Sequence, residues 1–182
     1  MAIESHYLRN KIKYHISKTR KLLELEDIPD DKVDQFYSAI EIHSIEIAAL
    51  TRKLRDLGKL PDGTLENKVI NLQRFESHGP DSHRANVDME KEYDLENPKD
   101  DQLTLSRMVD LIIHSYILQA TGGERNAFTH LLVTSDYSRF SGLYMVAFED
   151  FINACQEVAN AYPSSLHAVY DQKAEKWIHT RT

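Results

Sequence analysis

The segment Leu103–Ala120, LTLSRMVDLIIHSYILQA, constrains this chain most. Leu105, Met108, Val109, Ile112, Ile113, Tyr116, Ile117 and Ala120 recur at the i, i+3, i+4, i+7 spacing of a helix with one buried stripe. The spacing predicts a helix over 103–121 and places Arg107, Asp110 and His114 together on its opposite, polar face. A chain of 182 residues holding such a helix has enough length for one domain with a substantial core.

Two further helices are expected ahead of it. Residues 3–27 carry Leu8, Ile12, Ile16, Thr19 and Leu23 along one side. Pro29 and the Asp30-Asp31 pair supply the N-terminal signals of a helix over 31–57, which runs through Val33, Phe36, Tyr37, Ile40, Ile47, Leu50 and Leu54 to Gly58. Ile42 and Ile45 widen its apolar face, so it is expected to be the most buried helix of the set. A short turn between two long helices makes a helical hairpin.

Residues 59–101 lose this periodicity. Pro61-Asp62-Gly63, Gly79-Pro80 and Asn97-Pro98 are turn signals, and only Lys68–Phe75 has the look of a short strand. Glu76–Asp101 is strongly acidic, and its only arginine and lysines are Arg84, Lys91 and Lys99. The span is expected to be a long, mobile acidic connection. Beyond Gly122-Gly123, the apolar runs Ala127–Thr134 and Leu143–Phe148 flank a turn-rich loop, which predicts a β-hairpin over 127–148. A helix over 149–162, stopped by Pro163, and an amphipathic segment Leu166–Ile178 complete the chain. The expected fold class is mainly α (α+β): a single-domain bundle of four to five helices over 1–182 with one β-hairpin.

Bulk chemistry excludes several function classes. A net charge of −7 argues against a dedicated nucleic-acid coat or a membrane-surface protein. The apolar runs are too short for a membrane span, and the N-terminal residues lack a signal-peptide pattern, which predicts a cytoplasmic protein. The single cysteine, Cys155, lies among Phe151, Ile152, Val158 and Ala159 and reads as core. No phosphate-binding glycine loop, nucleophile elbow or dinucleotide fingerprint is present, and no cofactor is expected.

Short motifs point further. Arg52-Lys53-Leu54 with Lys59-Leu60, Asp110 with Ile112-Ile113-His114-Ser115, and Val133-Thr134-Ser135-Asp136 before Arg139 resemble a family of uncharacterised bacterial proteins. That family has an "RKL…KL" segment, an "IIHS" helix and an "SSD…R" hairpin; here Thr134 replaces the first serine of the last motif. The resemblance implies a bacterial or phage origin and supports the hairpin, and it implies no activity.

A looser resemblance is to the HEPN superfamily, helical bundles that include metal-independent ribonucleases. Their signature is an Arg followed within about two helical turns by a His. Arg9 with His15, Arg107 with His114, and Arg125 with His130 satisfy it. The chemistry fits the residue types, because a metal-free cleavage needs a base near neutral pKa and a fixed cation for the phosphorane. On this reading His114 is the base, Arg107 the cation and Asp110 the orienting group, with Arg125 and His130 the alternative pair.

Three other groupings have weaker claims. Arg9, Lys11, Lys13, Lys18, Arg20 and Lys21 form a basic run that could contact RNA phosphates, although a solvated helix is the simpler reading. His78 and His83, with Glu76, Asp81 and Asp88, have the chemistry of a zinc or manganese site but not the rigid placement, and no metal is expected. His43 with Glu46 reads as a hydrogen-bonded structural histidine. The expected function is a non-catalytic interaction or dimerisation module, a homodimer or bound to a protein partner. The alternative is the RNA-cleaving enzyme.

Overall fold

The computed structural model describes residues 2–25, 28–79, 88–122, 128–171 and 173–182. Its centre is a five-stranded antiparallel sheet: β1 (Val69–Phe75), β2 (Lys99–Thr104), β3 (Ser115–Gly122), β4 (Phe128–Ser135) and β5 (Leu143–Ala147), in the order β2-β1-β5-β4-β3. This overturns the expected helical bundle with one hairpin. Five helices are present among the described residues, but four of them share one core with the strands rather than packing on one another alone.

Helix α1 (Ala2–Leu23) and helix α2 (Val33–Asp56) form the helical hairpin. A single 3-10 turn, Asp30–Lys32, opens α2 after Pro29 and sets two acids at its positive end. Gly58 ends it at φ +59, with its N–H donating to Arg55 and the Lys59 N–H reaching Leu54, a Schellman closure that favours glycine. Helix α4 (Leu105–Ile113) is capped by the Thr104 hydroxyl, which accepts from the Arg107 N–H. Helix α5 (Phe148–Asn160) follows β5 directly and buries Phe148, Phe151, Ile152, Cys155 and Val158.

The expected helix over 103–121 is cut at His114, and Ser115 begins β3. The stripe Tyr116, Ile117, Ala120 suits a helix, but aromatic Tyr116 and β-branched Ile117 suit a strand as well. Pairing decides the matter: Leu118, Gln119 and Ala120 lie opposite Val133, Leu132 and Leu131 of β4. The acidic connection over 59–101 likewise holds β1, the short helix α3 (Met89–Glu92) and the first half of β2. Its Glu76 pairs with Lys99, and its Asp101 with Arg74, across the β1–β2 ladder. The final amphipathic segment forms a separate hairpin of β6 (Leu166–Asp171) and β7 (Lys176–Arg181).

Strand alternation gives the sheet two faces. Ile70, Leu72, Leu131, Val133, Tyr144 and Val146 join the helices in the main core. Phe75, Ile117 and Leu143 point the other way, where Tyr93, Met89 and Leu95 of the β1–β2 connection cover them. Arg9 ties the layers together while wholly shielded from water. Its guanidinium donates to the carbonyls of Val158 at 3.0 Å, Ala159 at 3.2 Å and Lys59 at 2.6 Å, and lies 3.9 Å above the Tyr162 ring. It thus caps the C-terminal end of α5, where unpaired carbonyls and the helix dipole both favour a cation.

Candidate functional site

Register builds the site. Ser115, the first residue of β3, lies opposite Ser135, the last of β4, so the C-terminal end of α4 meets the β4–β5 turn. Between them is a cleft of about 460 Å³ lined by Arg107, Asp110, Ile113, His114, Ser115, Ser135, Asp136 and Tyr137. The turn is held rigid from within. The Ser138 and Ser135 hydroxyls are 2.7 Å apart, and Thr134 Oγ1 donates to the Gly142 carbonyl at 2.9 Å.

The three residues expected on one helical face are therefore together, with additions from α2. Arg52 Nη1 lies 2.9 Å from His114 Nε2 and 3.5 Å from Asp110 Oδ1. Arg55 Nη2 is 3.8 Å from the same oxygen, and Arg55 Nη1 donates to Ser106 Oγ at 2.7 Å. Asp56 pairs with both arginines. Asp110 Oδ1 is shielded from solvent and accepts no hydrogen bond, so two guanidinium groups hold it by charge alone.

An arginine can only donate. The 2.9 Å contact therefore assigns an unprotonated Nε2 to His114, with the ring proton on Nδ1. In this arrangement the lone pair a general base would use is already engaged. Arg107 is exposed at the cleft, and among the described residues its guanidinium has no hydrogen bond or ion pair. Tyr137 stands almost entirely in water beside it.

The other sequence candidates are not gathered here. Arg125 lies outside the described residues. His130 sits within β4, bonded to Thr129 Oγ1 at 2.8 Å, five positions before Ser135 and about 17 Å away along the strand. Arg9 faces α5 whereas His15 faces His43 on α2, their Nδ1 atoms 3.0 Å apart, so the first Arg–His pair is divided between two interfaces. Of the basic run, Arg9 is buried and Arg20 is held by Asn153 and Glu149 of α5, which leaves no continuous cationic edge through them. His78 is exposed, and His83 and Asp81 lie outside the described residues; among the described ones no group of three or more His, Cys, Asp or Glu could hold a metal. Burial pushes the Cys155 thiol up to about 12, so it is no nucleophile at neutral pH.

Periodicity alone missed Arg52, Arg55, Ser135, Asp136 and Tyr137. A signal was present all the same. Arg52, the Asp110–Ser115 stretch and Ser135-Asp136 come from three separate segments quoted above; Asp110, His114, Ser115, Ser135 and Asp136 line the cleft, and Arg52 holds Asp110 and His114 from beside it. Comparison with protein-family models, curated proteins and solved structures found no match to this chain. Among the described residues, no helix is long and apolar enough to cross a membrane.

Proposed function

We propose that this chain is a non-catalytic interaction module, and that the cleft between α4 and the β4–β5 turn is where a protein partner docks. The observation that carries the reading is the division of labour among the arginines. Arg52 and Arg55 are spent on Asp110, Asp56 and His114, whereas Arg107 is free of partners among the described residues and stands at the rim with the exposed Tyr137. Arg and Tyr are the side chains most often found to anchor protein contacts, and a carboxylate on the partner would pair with Arg107 through both nitrogens. His114 serves as a structural acceptor that locks Arg52 in place, which is a binding role and not a proton-transfer role.

The second reading, metal-independent RNA cleavage by His114 with Arg107, keeps one observation in its favour: Arg107, Asp110 and His114 do share a cleft. One experiment separates the two. Purified chain is incubated with total bacterial RNA in EDTA, beside a His114→Ala variant of matched circular dichroism. In parallel, both proteins and Arg107→Glu are passed over immobilised peptides of graded acidity. Expected are intact RNA throughout, retention of acidic peptides by wild type and His114→Ala, and loss of retention in Arg107→Glu. RNA cleavage by wild type that disappears in His114→Ala overturns the module in favour of the enzyme.

A further inference from the structure

The outer face of the α1–α2 hairpin carries a pattern that its own fold does not use. On α2, Ser38, Ile42, Ile45 and Ala49 follow one another in alternating steps of four and three residues, and all four are exposed. Ile42 is 57% and Ile45 40% accessible, so the expectation that they widen a buried face is corrected. The buried side of the same helix is Ile40, Ile47 and Leu54, roughly opposite on the helical wheel. A four-three seam of small and branched apolar residues on a solvent face is what a second helix packs against.

On α1 the adjoining stripe is Tyr7, Lys11, Tyr14 and Lys18. Tyr7 is 58% and Tyr14 51% exposed, and Lys11 Nζ lies 5.7 Å and 5.8 Å from their ring centres. Between the two helices the His15 and His43 rings meet, both half-buried. Charge differs across the hairpin's outer face. Lys11 and Lys18 stand on the α1 side, and Glu46, exposed on α2, acts electrostatically on both histidines.

We infer that this face binds a second copy of the chain, the two helical hairpins closing into a four-helix layer about a two-fold axis. A self-complementary surface is what a two-fold interface requires, and this one places lysines beside one helix and a glutamate on the other. Charge also selects the arrangement. With α1 of one copy over α2 of its partner, Lys11 and Lys18 meet Glu46, whereas α1 over α1 would set lysines against lysines. The face is two helices wide and about 20 Å long, small for a permanent interface, so the association is concentration-dependent with a dissociation constant on the order of micromolar.

Sedimentation equilibrium on the full chain from about 1 to 200 µM tests this. Expected is a monomer at the low end passing to a dimer, with association weakened about tenfold or more by Ile42→Glu, an exposed position where circular dichroism should stay unchanged. Lys11→Glu and Glu46→Lys each weaken the dimer, and together they restore it, which a nonspecific loss of stability would not do. A monomer throughout overturns the inference. So does a dimer indifferent to Ile42→Glu, including one abolished instead by Val169→Glu in the exposed β6–β7 hairpin. Failure of the double exchange to restore association overturns the crossed α1–α2 arrangement.

Discussion

Arg9 shows how far one side chain's role can depart from its sequence context. In the sequence it belongs to a basic run and to an Arg–His spacing. In the fold it is a buried cap that satisfies the carbonyls of Val158, Ala159 and Lys59. Removing it strands these acceptors away from water and removes a charge that opposes the α5 dipole. Arg9→Ala is expected to cost about 3 kcal/mol, read as a fall of roughly 10 °C in the thermal midpoint. His114→Ala is the contrasting case. The ring is exposed and Arg52 keeps Asp110 and Asp56, so its cost is expected to stay within about 1 kcal/mol by urea denaturation. A penalty for His114→Ala comparable with that of Arg9→Ala would show that the Arg52 contact organises the whole α2–α4 junction.

At the level of elements, the C-terminal hairpin depends on one clamp. The Arg181 N–H donates to Asp62 Oδ2 at 2.9 Å, its carbonyl accepts from the Asp62 N–H at 2.9 Å, and Nη1 lies 3.5 Å from Asp62 Oδ1. Its guanidinium fills the space beside Gly58 where a Cβ would stand. A two-stranded hairpin with Leu166, Val169, Tyr170, Trp177 and Ile178 exposed is marginal by itself. Asp62→Ala should therefore speed amide exchange across 166–181 while leaving β1 and β4 protected, and uniform protection would refute the clamp. The elements also show where sequence reasoning reaches and where it stops. Helices α1, α2 and α5 are local objects, with their apolar spacing, the Asp30-Asp31 start and the Gly58 stop all written within them. Strands β2 and β3 exist because of distant partners: Asp100 and Gln102 have no apolar alternation, yet they pair with Gln73 and Asn71. The site was half legible for the same reason. Arg107 and Asp110 lie on α4 and His114 directly ends it, whereas Arg52 and Ser135 reach them only through helix packing and β3–β4 register.

For the whole molecule, the contact between α1 and α2 makes stability depend on pH. His15 and His43 meet through their Nδ1 atoms at 3.0 Å, a bond that needs one ring to donate and the other to accept, so both cannot be protonated. Burial holds both rings below the usual imidazole value of 6.5; Lys11 adds to this at His15, His15 and Lys18 add to it at His43, and Glu46 opposes it at both. In the unfolded chain these rings charge near 6.5, above their folded values, so below that pH the unfolded state holds more protons. Stability therefore rises with pH through this window: the contribution is fully present above 6.5 and is lost as pH falls below it. The urea midpoint is expected to drop steadily from pH 7 to pH 5, and His43→Gln, which keeps a polar side chain but cannot charge, should flatten that slope. Equal slopes for the variant and wild type would place the acid sensitivity elsewhere in the molecule.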